Sequence, residues 1–166
     1  IVFWSGDKIY ANTTKDFINF SPAFLYFDPG YICIDATVTR HKDNYYLFFK
    51  DERGANSDTT AFKALKVARS KTLAPGSFEV ISKDYITDHL VEGPACIKDL
   101  KEDKWYLYYD YFMRGGIWGC SYTTDLETNK WTKMTVKEFN LPEGVRHGNA
   151  VKVTEAEFQK MMKRFK

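Results

Sequence analysis

Aromatic and aliphatic residues come in short runs along this chain, and polar turns punctuate them. Three segments follow one plan. IVFWSG (1–6) leads into KIYANTTKDFINFS (8–21), NYYLFFKDE (44–52) into AFKALKVARSKTLAPGSFEVIS (61–82), and KWYLYYDYF (104–112) into IWGCSYTTDLETNKWTKMT (117–135). Each has an aromatic strand, a turn or loop, a second strand ending in Ser or Thr, a short polar turn, and a strand opening on Phe or Trp. Short runs rich in aromatic and β-branched residues are strand patterns. The second strands end in TTKDF (13–17), ARSKTL (68–73) and YTTDL (122–126), with Asp16 and Asp125 at equivalent places and Thr72 in the middle copy. Such endings predict turns in which a side-chain oxygen accepts hydrogen bonds from nearby backbone N–H groups. Between the copies, CIDATVTRHKDN (33–44) and GPACIKDLKEDK (93–104) alternate apolar residues before a charged turn, as a further inner strand does.

The copies recur at roughly 55 residues, a period suited to a four-stranded propeller blade with loop insertion. The expected fold is all-β. It is an incomplete propeller of about three blades near 1–27, 28–82 and 83–135, with closing strands in 136–153 and a C-terminal helix in 154–166. Residues 1–27 supply only the later strands of a blade. The chain opens on Ile inside a strand pattern with no signal peptide in view, so a start cut inside a fold is expected, in a processed product or a fragment. Open sheet edges would then invite self-association.

The helix is announced by Thr154 and Glu157, a capping box. Phe158, Met161, Met162 and Phe165 share one face, and Lys160, Lys163, Arg164 and Lys166 favour the C-terminal end of the dipole. Packing over the sheets is expected, in preference to a basic helix lying on a membrane.

Composition narrows the classes. Among 166 residues, 44% are hydrophobic and 28% charged, which reads as a soluble globular protein. A net charge of +2 is too small to argue for nucleic acid or an acidic membrane. No run approaches the roughly 18 apolar residues of a spanning helix. The 4 Trp, 11 Tyr and 13 Phe are an excess that suits sugar binding, although core packing explains most single rings. Cys33, Cys96 and Cys120, odd in number and without CxxC spacing, read as small buried hydrophobes.

Two carboxylates stand out. Asp35, in YICIDATVT, heads a strand that should be buried, where a lone charge is costly; the plainer reading is a turn cap. Glu92, in HLVEGPACI, precedes a Gly93–Pro94 corner and can project from an inner strand; it too can be read as a turn residue. Asp35 lies 11 residues before Tyr46 and Glu92 lies 14 before Tyr106, so the two are expected at matching places on neighbouring blades, facing one cavity. Partial burial and a second carboxylate would raise the pKa of Glu92, as a general acid requires. His147, within VRHGNAVKVT, could hold a metal, position water or bind a hydroxyl, and Arg146 could grip a carboxylate or a substrate; a satisfied structural histidine is an equal reading. Lys50, Asp51, Glu52 and Asp110, at the ends of the long strands, read as solvated loop charges.

IYANTTKDFINFSPAFLYFDPGYICIDATV, YYLFFKDE, VEGPACIK, KWYLYYDYF and GVRHGNAVKVTEAEF together resemble the later blades of glycoside hydrolase family 43, most nearly its arabinofuranosidase- and xylosidase-like bacterial members. The resemblance implies a five-bladed propeller that cleaves arabinose- or xylose-containing oligosaccharides or polysaccharides with inversion. It implies that Glu92 is the general acid and Asp35 the residue that modulates its pKa. Arg146 and His147 are candidate substrate binders from the residues themselves; the resemblance adds that His147 lies close to a structural calcium ion or a water, and it implies no other cofactor. The family's general base lies in an RDP-type motif that this chain lacks. Asp28, in FDPG, follows the KDF turn and is not given that role. Secretion or a periplasmic location follows only from the resemblance. The alternatives are a non-catalytic propeller module that binds a glycan or protein, and a fructan-cleaving, configuration-retaining relative.

Overall fold

The structure, a computed structural model, describes residues 1–57, 61–115, 117–141 and 144–164. It is mostly β, with three antiparallel sheets and one C-terminal helix. The first sheet holds β1 (Val2–Ser5), β2 (Ile9–Asn12) and β3 (Phe24–Phe27) in that order. The second holds β4 (Cys33–His41), β5 (Asn44–Asp51), β6 (Ala64–Ser70) and β7 (Glu79–Val80), and the third β8 (Glu92–Lys98), β9 (Trp105–Tyr111), β10 (Ile117–Thr123) and β11 (Thr132–Lys133). In both four-stranded sheets, each strand pairs with the next in sequence. The first sheet has no strand matching β4 or β8 at its start, in keeping with the sequence pattern of residues 1–27.

Strand β5 explains why these sheets stack. Side chains alternate across a strand, and here both sets are apolar. Tyr46 and Phe48 join Leu65 and Val67 in packing against Leu107, Tyr109 and Tyr111 of the third sheet. Leu47 and Phe49 pack the other way, against Ile9, Tyr26 and Phe27 of the first. All four β5 side chains are fully buried. Each such burial contributes about 1.5–3 kcal/mol, so the middle sheet is held on both faces. The three cysteines are free and buried.

The polar turns close as their sequences indicate. Phe17 N–H donates to Thr14 Oγ1 at 2.9 Å, and the N–H groups of Ile18 and Asn19 donate to Asp16 Oδ1 at 2.9 and 2.8 Å. In the third copy, Asp125 N–H donates to Thr123 Oγ1 at 3.2 Å and Glu127 N–H to Asp125 Oδ1 at 3.0 Å. In the middle copy, Ala74 N–H donates to Thr72 Oγ1 at 3.3 Å.

Helix α1 (Glu155–Arg164) is capped as expected: Glu157 N–H donates to Thr154 Oγ1 at 3.3 Å and Thr154 N–H to Glu157 Oε2 at 2.8 Å. Its apolar face is not packed over the sheets. Phe158, Met161 and Met162 are all exposed. On the outer face of the third sheet, Tyr108 instead meets the ring of Phe139, at 6.0 Å between centroids. Phe165 and Lys166 lie outside the described residues. The segment 136–153, expected to add closing strands, forms none among its described residues. No helix among the described residues is long and apolar enough to cross a membrane.

Gly119 on β10 faces Tyr109 on β9, and a Cβ at this glycine would lie 2.2 Å from the tyrosine ring. The ring is buried, so it cannot swing aside. Gly119→Ala is therefore expected to destabilise the fold by about 1–3 kcal/mol through overpacking, read as a lower urea midpoint with an unchanged slope.

Candidate functional site

The site is built on two β-bulges. On β4, Ile34 faces Lys50 and Thr37 faces Phe48, so Asp35 and Ala36 together oppose one residue of β5. On β8, Glu92 faces Asp110 and Ala95 faces Tyr108, so Gly93 and Pro94 oppose one residue of β9. Asp35 and Gly93 both take left-handed backbone, with φ of 56° and 61°. Proline suits the second bulge because it has no N–H to leave unpaired. The ladders thus match Asp35 with Gly93 and Ile34 with Glu92, which corrects by one residue the expectation that the two carboxylates stand at matching places. A one-residue offset would put side chains on opposite faces. The bulge undoes this by re-aiming Asp35, at a backbone cost of about 1–3 kcal/mol. Asp35 N–H donates to Ser5 Oγ at 2.8 Å, and Asp35 Oδ2 accepts from Gly93 N–H at 3.1 Å.

A strap from the C-terminal segment completes the cluster. Trp118 Nε1 donates to Val145 O at 2.6 Å, and Asn149 Nδ2 donates to Thr37 Oγ1 at 3.5 Å. Between these ties, Arg146 Nη2 donates to Glu92 Oε1 at 2.8 Å and to Asp110 Oδ1 at 3.4 Å. His147 Nε2 lies 3.2 Å from Glu92 Oε1 and 3.4 Å from Asp110 Oδ2. The imidazole rests on Gly93, where a Cβ would come within 3.1 Å of its Cγ. Asp35, Glu92 and His147 each offer one atom within 4.8 Å of the others. Asp35, Thr37, Gly93, His147 and Asn149 help line a cavity of about 140 Å³ beside them. The four residues singled out from the sequence, Asp35, Glu92, Arg146 and His147, are therefore brought together. Asp28 is bound elsewhere, to Lys8 at 2.7 Å and to the N–H of Gly30.

Of the charges at the strand ends, Lys50, Asp51 and Asp110 are buried and Glu52 is half-buried, which overturns the loop reading. Lys50 is only 2% exposed; its Nζ lies 2.7 Å from Glu52 Oε2, 2.9 Å from Glu92 Oε2 and 4.1 Å from the ring centroid of Phe112. Glu52 is held in turn by the buried Lys63, at 2.5 Å. Asp51 and Asp110 are fully buried. Asp51 accepts two hydrogen bonds from the Arg53 guanidinium, at 3.0 and 2.7 Å, and one from Tyr85 OH at 3.0 Å. A signal was available in the sequence: FFKD and YYDY continue apolar runs that are buried on both faces, so a charge there stays inside.

The cations govern the two acids differently. Burial pushes the Asp35 carboxyl up, and the Gly93 N–H and the charge of His147 only partly offset it. Burial is also the largest influence on Glu92 and also pushes upward, but Lys50 and His147 outweigh it and hold Glu92 below the usual carboxylate value. The expected upward shift at Glu92 is thus reversed in this state of the site. As metal donors, two carboxylate oxygens and one imidazole nitrogen fall short of the roughly six to eight oxygens calcium takes. Glu92 is moreover already held by Lys50 and Arg146, so these residues alone do not form a calcium shell.

Removing Lys50 would leave Glu92 and Glu52 facing each other without their shared cation. Lys50→Met is expected to cost about 3–5 kcal/mol at neutral pH. Because Glu92 titrates lower folded than unfolded, its ionisation stabilises the fold above an unfolded value of about 4.3 and the benefit is lost as pH falls through the folded value. In the variant this acid-side loss should shrink, and the Glu92 carboxyl signal in NMR should titrate at higher pH.

Comparison with known proteins bears on this cluster. The family model described as "Probable glycosyl hydrolase domain", of the glycosyl hydrolase 43-related family, matches residues 4–159. An alpha-L-arabinofuranosidase of Bifidobacterium longum subsp. longum is 33% identical over 115 residues, covering 60% of this chain and 11% of that protein. The chain therefore spans about a tenth of that relative's length. No solved structure matches. The family match takes in all four clustered residues and both bulged strands, and the chain belongs to the glycosyl hydrolase 43-related family.

Proposed function

We propose that this chain carries the acid side of a glycosidase active centre, acting on arabinose- or xylose-containing glycans with inversion of configuration. The observation that carries the reading is the meeting of Asp35, Glu92 and His147 within 4.8 Å, from three separate segments, beside an open cavity. Glu92 as carboxylic acid gives its proton to the glycosidic oxygen as the bond to the anomeric carbon breaks. Water attacks the opposite face of that carbon and loses a proton to a base not assigned among this chain's residues. In an inverting enzyme, acid and base stand about 6.5–9.5 Å apart to admit the water. Asp35 keeps negative charge near Glu92, and Arg146 and His147 grip sugar hydroxyls. No step passes through calcium. The in-order, four-stranded second and third sheets, whose first strands β4 and β8 touch each other, support reading the sheets as blades of a five-bladed propeller.

Resting Glu92 is charged and clamped, so the mechanism requires it to take up a proton when substrate arrives. Arg146 and His147 sit on a strap with half-exposed side chains. A sugar that draws them away and shuts out water would leave burial, the largest influence on Glu92, less opposed. The same clamped state favours a second reading, a glycan-binding module without catalysis, in which Glu92 serves only to hold the strap.

Glu92→Gln separates the two. In the intact protein, hydrolysis of natural glycans should fall about 10²–10⁴-fold, and aryl glycosides, whose leaving groups need no proton, should lose far less. Unchanged turnover of glycans would refute the assignment, while glycan binding with no turnover even in the parent protein would favour the binding module.

A further inference from the structure

Two routes run from Lys63 to Glu92. The first is a chain of charges. Lys63 is 5% exposed, and its ammonium holds Glu52 twice, at 2.5 Å from Oε1 and 3.1 Å from the backbone carbonyl oxygen. The other carboxylate oxygen of Glu52 lies 2.7 Å from Lys50 Nζ, and Lys50 donates in turn to Glu92 Oε2 at 2.9 Å. The second route is backbone. Val91 N–H, one residue before Glu92, donates to the carbonyl oxygen of Lys63 at 3.1 Å. His89 Nδ1 adds a tie of 2.8 Å to the carbonyl oxygen of Phe62; a carbonyl only accepts, so Nδ1 carries the hydrogen. Both routes begin at one residue and end at one side chain.

The circuit strains the backbone. Phe62, Lys63 and Leu90 take left-handed conformations, with φ of 58°, 46° and 59°, which residues with a Cβ seldom adopt. Such residues persist where their surroundings over-determine them, and they gather at functional sites. The surroundings are in place. The Arg53 guanidinium lies 4.6 Å from the Phe62 ring centroid, Gly54 has no side chain where a Cβ would come within 3.0 Å of that ring, and Val91 is fully buried. Stability alone does not call for the arrangement, since well-packed apolar residues often stabilise as much as a buried ion pair. What the charges do is divide Lys50 between two carboxylates. An unneutralised Glu52 would draw its ammonium away from Glu92.

We infer that Lys63 is a positioning residue for the acid: by neutralising Glu52 it keeps the Lys50 ammonium on Glu92, and its carbonyl fixes the backbone from which Glu92 projects. The inference rests on the reading of Glu92 as general acid, and its test separates the two. The other charged groups facing Glu92 are Arg146 and His147 of the strap, Asp110 of β9 and Asp35 of β4, and the variants leave all four in place. Lys63→Met and Glu52→Gln are compared by turnover in the intact protein and by NMR of the isotope-labelled chain. Lys63→Met leaves Glu52 to draw Lys50 off Glu92. The Glu92 carboxyl signal should then titrate at higher pH. The alkaline limb of kcat on natural glycans, where the acid loses its proton, should move the same way. Glu52→Gln leaves Lys50 to Glu92 alone, so both should move to lower pH. At one pH on that limb, turnover relative to each variant's maximum should differ about tenfold or more between the two. Lys63→Arg should keep most of the parent behaviour, and aryl glycosides, whose leaving groups need no proton, should show no such movement. A lysine that serves stability alone would lower the urea midpoint and move neither signal nor limb. A Glu92 signal that stays, or that moves the same way in both variants, therefore overturns the positioning role and leaves Glu92 as acid untouched. If Lys63→Met does not fold, Glu52→Gln decides, and no movement to lower pH overturns the role. Signals that move in opposite directions while the limb stays keep the circuit and overturn Glu92 as the acid.

Discussion

The ammonium of Lys50 and the carboxylate of Glu92, 2.9 Å apart and largely removed from water, are the contact around which the site is organised. Desolvating two such charges costs several kcal/mol each, and their attraction repays this only when the remaining donors and acceptors are also met. Here they are met by extension, save that Glu52 Oε2 and Asp110 Oδ2 accept no hydrogen bond and have only their ion-pair contacts with Lys50 and His147. Glu52 and Lys63 continue the alternation of charge on one side, and Arg146, His147 and Asp110 continue it on the other. The chain of charges runs from the middle sheet through the third sheet to the C-terminal strap. Electrostatics thereby ties the strap, which neither apolar cluster includes, to two sheets that the core already joins.

That network works only because the backbone delivers its members. The bulges on β4 and β8 bend two first strands at the same point of their ladders. One bulge puts a glycine at the left-handed position, and its missing side chain makes room for the His147 ring. The other puts Asp35 at that position and so brings a carboxylate to a space its register alone would deny it. A strained aspartate and an indispensable glycine are two uses of one backbone device. The large apolar strands behind them, above all β5 with both faces packed, provide the rigidity that holds Asp35 in its unfavourable conformation.

The balance at Glu92 follows from the same arrangement. A half-buried acid with another carboxylate nearby would ordinarily be pushed up, as Asp35 is. Lys50 reverses the outcome because it is itself buried and has nowhere better to place its charge. In the sequence, Lys50, Asp51, Glu52 and Asp110 look like solvated loop charges, so the cation that offsets the carboxylates is not visible there. The placement of the helix escapes the sequence for a related reason. Its cap and periodicity are local properties and were readable, but whether an apolar stripe finds a partner depends on which sheet faces remain open, and Phe139 already meets Tyr108 on the third sheet's outer face.

The sequence by itself determined the strand repeat, the Ser/Thr–Asp turns, the capping box at Thr154 and the choice of Asp35, Glu92, Arg146 and His147, because each is written in spacing or in a short motif whose physics is local. Tertiary structure alone decided that Asp35 aligns with Gly93 rather than Glu92, that four strand-end charges are buried or half-buried, and that Glu92 is held ionised. Those outcomes depend on ladder register and on which charge lies across a sheet from which, and such distances arise only when segments far apart in the chain pack together.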